Sequence, residues 1–363
     1  MTYPVPEHIL SISTYKPGKP IQELERELGI SGVIKLASNE NPLGPSPRAM
    51  QAIADHIGSL HRYPDGSGFY LTRALSEWLH VPEASIVLGN GSDDIIGLLT
   101  RAFLLPGDTA VMTDPSFLMY EITVKAAGAE PVMVPLDGVN VDLDAIGEAI
   151  RPSTRMVFLT HPNNPTGKAI PRAELDRFLD KLPRNILLVM DEAYVEFIRT
   201  PGCGSTLDLV GSGRPVVVLR TFSKAYGLAG IRVGYGVMDP EIAGVLQRIR
   251  QPFNVNSLAL VAAEAALKDT AFLEKTVSVV HAGLDYFYQS AEAMGLPYYK
   301  SDANFCMIRV NRPSVEVFEA MLKAGVIIRS MHAYGFPDCI RVNAGLETEN
   351  SRFIATLKTV LAS

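Results

Sequence analysis

Between residues 85 and 238 the chain repeats one pattern: a short apolar run, a polar loop, then a stretch whose apolar residues recur three and four apart. Uninterrupted apolar runs such as Ile186-Leu187-Leu188-Val189-Met190 suit strands buried on both faces. The 3.6-residue periodicity between them suits helices that cover a sheet. Strands are expected at 85–88, 110–113, 131–135, 156–160, 186–190, 215–221 and 232–237, and helices at 93–105, 117–127, 142–149 and 172–182. Parallel neighbours need a crossover long enough to hold a helix, so this alternation predicts an α/β fold with a mostly parallel sheet covered on both sides.

The flanking segments read differently. Residues 1–19 are rich in proline and are expected to be an irregular arm. Helices follow at 21–28, 47–57 and 68–79, with a short strand at 34–36. Past Asp239 helices are expected at 240–249, 257–266 and 271–294. Strands at 304–310, 326–328 and 339–342 then mix with helices at 314–324 and 348–361. This predicts an arm over 1–35, a large domain over 36–255 and a small α+β domain over 256–363, with the arm packed on the small domain.

Composition narrows the function. With 33 Lys plus Arg against 39 Asp plus Glu, the chain carries a net charge of −6, which argues against nucleic acid or an anionic membrane as the main partner. Cys203, Cys306 and Cys339 are scattered without a C-x-x-C pair. They predict a reducing compartment, no disulfide framework and no zinc site. The start, Met1-Thr2-Tyr3-Pro4-Val5-Pro6-Glu7, has no basic and apolar signal-peptide pattern, and no apolar run is long enough to span a bilayer. A cytoplasmic protein is expected.

Four polar motifs stand at the carboxyl ends of expected strands: Gly89-Asn90-Gly91-Ser92-Asp93, His161 to Gly167 (HPNNPTG), Asp191-Glu192-Ala193-Tyr194, and Thr221-Phe222-Ser223-Lys224. Open α/β sheets bind ligands beyond the carboxyl ends of their strands, so the four loops should meet at one crevice. Gly91-Ser92 entering a helix can hold a phosphate through backbone N–H groups and the Ser92 hydroxyl, or serve as an ordinary helix cap. Gly167-Lys168 lacks the remaining residues of a phosphate-binding loop. Lys224 sits among the hydroxyls of Thr221 and Ser223, and Arg232 offers a guanidinium suited to phosphate. A desolvated lysine beside a phosphate clamp is what a covalently held pyridoxal 5'-phosphate (PLP) requires. Asp191 suits a pyridine nitrogen, which it would keep protonated, or a helix N-cap. Tyr194 and Asn164 could bond the ring oxygen, with a turn as the other reading of Asn164. Phe117 could stack on a flat ring or simply pack in the core.

In this order, NPTG, DEAY, SKAYGLAGIRVG and CIRVNAG resemble the fold type I PLP-dependent aminotransferases. Together with YKPGKPIQELERELG, LASNENPLGPSP, RYPDG and GNGSDD, the pattern is similar to the histidinol-phosphate aminotransferase family, over about residues 15–341. The resemblance implies that Lys224 bonds the cofactor and later shuttles a proton, that Asp191 pairs with the ring nitrogen, and that Asn164 and Tyr194 bond the ring oxygen. Ser92, Asp93 through its backbone, Thr221, Ser223 and Arg232 would surround the phosphate. Tyr63 would reach the cofactor phosphate of a neighbouring subunit, which implies a homodimer with shared active sites. Arg341 would bind the α-carboxylate of glutamate or the phosphate of the amino substrate, helped by Arg329, with Tyr15 and Asn39 at substrate-pocket positions. The family has tyrosine where this chain has Phe117, so stacking is kept and a phenolic hydrogen bond is lost. The implied reaction is ping-pong transamination of L-histidinol phosphate with 2-oxoglutarate, giving imidazole-acetol phosphate and glutamate. Threonine-phosphate decarboxylase and aromatic amino-acid aminotransferase use the same scaffold and remain alternatives.

Overall fold

Every residue of the strand Leu187–Asp191 is buried, and this strand lies at the middle of a seven-stranded sheet. The computed structural model describes residues 3–14 and 18–362. In chain order its strands are β1 (Ile34–Lys35), β2 (Ile86–Gly89), β3 (Thr109–Asp114), β4 (Glu130–Pro135), β5 (Thr154–Thr160), β6 (Leu187–Asp191), β7 (Val216–Thr221), β8 (Gly234–Met238), β9 (Tyr298–Tyr299), β10 (Phe305–Arg309), β11 (Val326–Ile327), β12 (Arg329–Ser330) and β13 (Cys339–Asn343). The large sheet has the order β2-β8-β7-β6-β5-β3-β4. It is parallel except for β8, which runs antiparallel to both β2 and β7. This is the mostly parallel α/β architecture that the alternating pattern predicts.

The period of two along each strand builds a separate core on each face. Met156 and Phe158 pack with Tyr120, Val124 and Leu98 on one side. Val157 and Leu159 pack with Leu175, Phe178 and Leu179 of the helix Arg172–Lys181 on the other. Each such side chain contributes roughly 1.5–3 kcal/mol by leaving water, so a polar residue at any of these positions would break a core rather than a surface. A third core joins Phe222 and Tyr235 to Phe305, Ile308 and Val342, so packing continues from the large sheet into the second one.

That second sheet is four-stranded, β12-β13-β10-β9, all antiparallel. The 24-residue helix Thr270–Ala293 and the helix Glu347–Ala362 pack together beside it. β1 pairs in parallel with β11, which ties residues 34 and 35 to the C-terminal segment.

Three differences from the sequence reading have local causes. Within the stretch expected to be irregular, Glu7–Leu10 forms a helical turn, started after Pro6, whose fixed φ suits a helix entrance. β9 and β12 are two-residue strands, too short to show a period. Arg232 is not the first residue of a strand. It sits in left-handed backbone at φ 59° after the turn Ala229–Ile231, and β8 begins at Gly234. Among the described residues no helix is long and apolar enough to cross a membrane.

Candidate active site

The carboxyl ends of β2, β3, β5, β6 and β7 open onto one cavity of about 260 Å³. Asp191 closes β6 at its floor, Lys224 follows β7, and Asn164 follows β5; all three line the cavity.

Asp191 is 3% exposed. Its Oδ1 accepts the Ala193 N–H at 3.1 Å, and its Oδ2 accepts the Tyr120 hydroxyl at 2.7 Å. Burial pushes this carboxyl up to about 6, against the pull of both donors. Burial and the Asp191 charge raise the Tyr120 phenol well above its ordinary range. Among the described residues no ion pair reaches Asp191, so a buried carboxylate faces the cavity without a cation. Next to it, fully buried Glu192 accepts from Arg220 Nε and Nη2 at 3.0 and 2.9 Å, and from the Thr206 hydroxyl at 2.8 Å. That ion pair ties the end of β6 to the end of β7.

The opposite corner is an anion cup. Ser92 is the first residue of the helix Ser92–Phe103, after Gly91 at the N-cap, and no side chain makes the capping bond. Arg232 Nη1 donates to Ser223 Oγ and to the Ala229 carbonyl, both at 3.1 Å. Thr221 Oγ1 accepts the Ser223 N–H at 3.1 Å. Asp93 lies 3.5 Å from Arg232 Nη2, and burial raises its carboxyl despite the nearby Arg232 and Lys224 charges. Two glycines allow the close approach. A Cβ on Gly91, at φ 83°, would stand 2.5 Å from Arg232 Nη2, and one on Gly234 would stand 2.6 Å from Ser92 N.

Between floor and cup, Lys224 Nζ lies 3.3 Å from the Ser38 carbonyl and 5.7 Å from the centre of the Tyr194 ring. Tyr194 Oη accepts from Asn39 Nδ2 at 2.9 Å. On the far wall Arg341, 8% exposed, donates from Nη1 to Asn164 Oδ1 at 2.5 Å and stands over the Phe305 ring at 4.8 Å. Arg329 lies by the Tyr334 ring and 3.3 Å from its hydroxyl. Phe117 lines the cavity and meets Tyr120 edge to face at 5.6 Å.

Ser92, Asp93, Phe117, Asn164, Asp191, Tyr194, Thr221, Ser223, Lys224, Arg232, Asn39, Arg329 and Arg341, predicted from sequence, thus share one cavity. Arg341 is a buried strand residue, not a surface arginine. Tyr63 stands outside the cavity: it is 83% exposed and stacks on Phe253 at 4.8 Å. Tyr15 lies outside the described residues. Tyr120 and the Ser38 carbonyl were not anticipated. Tyr120 stands one helical turn after Phe117, and that spacing was the available signal.

The residues fit PLP on their chemistry. A buried carboxylate without a cation suits a protonated ring nitrogen. The helix start with Arg232 and Ser223 suits a phosphate dianion. A lysine amine stands between them.

Known proteins share this fold and much of this sequence. The chain is 47% identical over 357 residues to the histidinol-phosphate aminotransferase of Moorella thermoacetica, covering 98% of this chain and 92% of that one. It is 44% identical over 353 residues to histidinol-phosphate aminotransferase 1 of Nitrosococcus oceani, covering 97% and 95%. The crystal structure of histidinol-phosphate aminotransferase from Sinorhizobium meliloti in complex with pyridoxal-5'-phosphate superposes with a TM-score of 0.91 at 28% identity, over 98% of this chain and 96% of that chain. The family model for aminotransferase class I and II matches residues 31–357, and with that span, this fold and these strand-end loops the chain belongs to the aminotransferase class I and II family.

Proposed function

We propose that the protein transfers the amino group of L-histidinol phosphate to 2-oxoglutarate with PLP as cofactor, giving imidazole-acetol phosphate and glutamate. The observation that carries this reading is the placement of Lys224 between the Asp191 floor and the Arg232 cup, with Arg341 on the far wall. Relatives at 47% and 44% identity over nearly the whole chain support the substrate.

Bound PLP supplies an electron sink for negative charge at the substrate Cα. Lys224 Nζ would hold the cofactor and, when free, would serve as the base and acid that moves the substrate Cα proton. Asp191 would keep the ring nitrogen protonated. Tyr194 and Asn164 would bond the ring oxygen. Ser92, the Asp93 backbone, Thr221, Ser223 and Arg232 would hold the phosphate, and Phe117 would stack on the ring. Arg341, with Arg329, binds the phosphate of one substrate and the carboxylate of the other, because a guanidinium fork accepts both anions. Asn39 lines the cavity and would border the substrate.

A homodimer in which Tyr63 of each subunit completes the other's phosphate cup accounts for the exposure of this tyrosine beside Phe253. The division into an arm over 1–35, a large domain over 36–255 and a small domain over 256–363 is part of this reading, as is a cytoplasmic location.

A substrate panel on the PLP-loaded protein tests it: histidinol phosphate, tyrosine, phenylalanine and threonine phosphate, each with and without 2-oxoglutarate. The proposal expects glutamate only when 2-oxoglutarate is present, and from histidinol phosphate at a higher kcat/KM than from either aromatic amino acid. Carbon dioxide release from threonine phosphate without 2-oxoglutarate, or a preference for tyrosine or phenylalanine, would contradict it.

A further inference from the structure

One three-residue segment touches three functional side chains. The Ala37 carbonyl accepts from Arg341 Nη2 at 3.3 Å, the Ser38 carbonyl from Lys224 Nζ at 3.3 Å, and Asn39 Nδ2 donates to Tyr194 Oη at 2.9 Å. Asn39 is locked in place. It is 3% exposed and sits in left-handed backbone at φ 56°, which asparagine tolerates better than most side chains. Its N–H donates to Asn343 Oδ1 at 3.1 Å, and its carbonyl accepts from Asn304 Nδ2 at 3.0 Å. Asn343 ends β13 and Asn304 precedes β10, both in the smaller sheet.

The orientation of the Asn39 amide has a consequence. Its Oδ1 is buried without a partner in the cavity wall. The reverse orientation would strand an N–H group instead, and orphaned buried donors are rarer than under-satisfied carbonyl oxygens. The amide therefore donates to Tyr194 Oη. A phenol has one hydrogen, and with its oxygen already accepting from Asn39, that hydrogen is free to go elsewhere. Among the described residues no acceptor for it is in reach, and Tyr194 is 4% exposed and lines the cavity.

We propose that Asn39 is a positioning residue for Tyr194: by donating to Oη it reserves the phenol hydrogen for an anionic oxygen in the cavity, the ring oxygen of bound PLP. The proposal rests on the PLP reading given above. It assigns Asn39 a duty toward the cofactor, separate from its expected place beside the substrate.

Asn39→Asp keeps the size of the side chain and its tolerance of left-handed backbone, but offers only acceptors. The phenol hydrogen then turns to the introduced carboxylate. Asn39→Gly removes the amide, fits the same backbone and leaves the hydrogen free. The readouts are the dissociation constant of PLP and the pH midpoint at which the visible absorbance of the bound cofactor changes. A donor lost from the ring oxygen raises that midpoint. We expect Asn39→Asp to raise it by about 1 pH unit and to weaken PLP about ten-fold, with Asn39→Gly moving it less than half as far. In a Tyr194→Phe background the introduced carboxylate acts through charge alone, and its shift should fall by more than half.

Equal shifts for the Asp and Gly variants, or an Asp shift unchanged in the Tyr194→Phe background, would overturn the proposal. Should Asn39→Asp not fold, Asn39→Gly and Tyr194→Phe carry the test through the PLP dissociation constant. Effects smaller together than their product support it, and effects that multiply refute it. Wild-type protein with no visible absorbance on adding PLP would instead overturn the cofactor reading, and this proposal with it.

Discussion

The Tyr120 hydroxyl donates to Asp191 Oδ2 at 2.7 Å, and the Thr160 hydroxyl stands 3.0 Å behind it. Since the single phenol hydrogen goes to Asp191, Thr160 is the donor to Tyr120. Three buried groups thus form a donor chain that ends on the carboxylate and favours its ionised form. Tyr120→Phe keeps the ring against Phe158 and removes only the donor. The expected loss is about 1.5–3 kcal/mol of stability in the cofactor-free protein at pH 8, and less near pH 4, where the carboxyl is neutral. Urea unfolding at the two pH values measures it; an equal loss at both would show a packing role only.

Asp191 itself makes the cofactor-free protein sensitive to pH. Burial pushes its carboxyl up to about 6, above its ordinary 3.8. Between these values the native state binds more protons than the unfolded chain. The stability linked to this group is therefore present at low pH and is lost as pH rises, by about 3 kcal/mol in all. Asp191→Asn removes the titration. The variant should match wild type near pH 4 and exceed it above pH 7 when both are free of PLP. Melting curves across that range test this, and a constant offset would contradict it.

Fully buried Glu192 owes its charge balance to Arg220, whose side chain is 11% exposed. Arg220→Met keeps most of the volume and leaves that carboxylate uncompensated. The expected cost is about 3–5 kcal/mol, as for other broken buried pairs. Denaturant unfolding of the purified variant measures it, and a loss under 1 kcal/mol would mean that water reaches Glu192.

Gly91→Ala tests the anion cup. The added methyl carbon would stand 2.5 Å from Arg232 Nη2, on backbone at φ 83°. The guanidinium must move, and the left-handed strain adds about 1 kcal/mol. Affinity for PLP should fall at least ten-fold while affinity for pyridoxal, which lacks the phosphate, changes little. Equal losses for both compounds, measured by absorbance titration, would remove Arg232 from the phosphate role.

Much of this was legible in the sequence where a strand made it so. Asp191 and Lys224 each follow an unbroken apolar run, and the rule that ligands bind at strand ends brings them together without coordinates. Contacts that cross between elements were not legible. Tyr120 reaches Asp191 from a helix 71 residues earlier, and Asn39 reaches Tyr194 across 155 residues. Neither separation leaves a periodic trace. The left-handed turn at Arg232 was hidden as well, because an arginine before Val233-Gly234-Tyr235 reads as the start of a strand. Its guanidinium reaches Ser223 because the chain turns there.

Lys224 is the lysine proposed to bond the cofactor. Borohydride reduction of the PLP-loaded protein makes that bond permanent, and peptide mass spectrometry then finds the modified lysine. A single pyridoxyl-phosphate adduct is expected, on Lys224, and none in Lys224→Ala. An adduct on another lysine, or an unmodified Lys224 in protein that retains PLP, would contradict it.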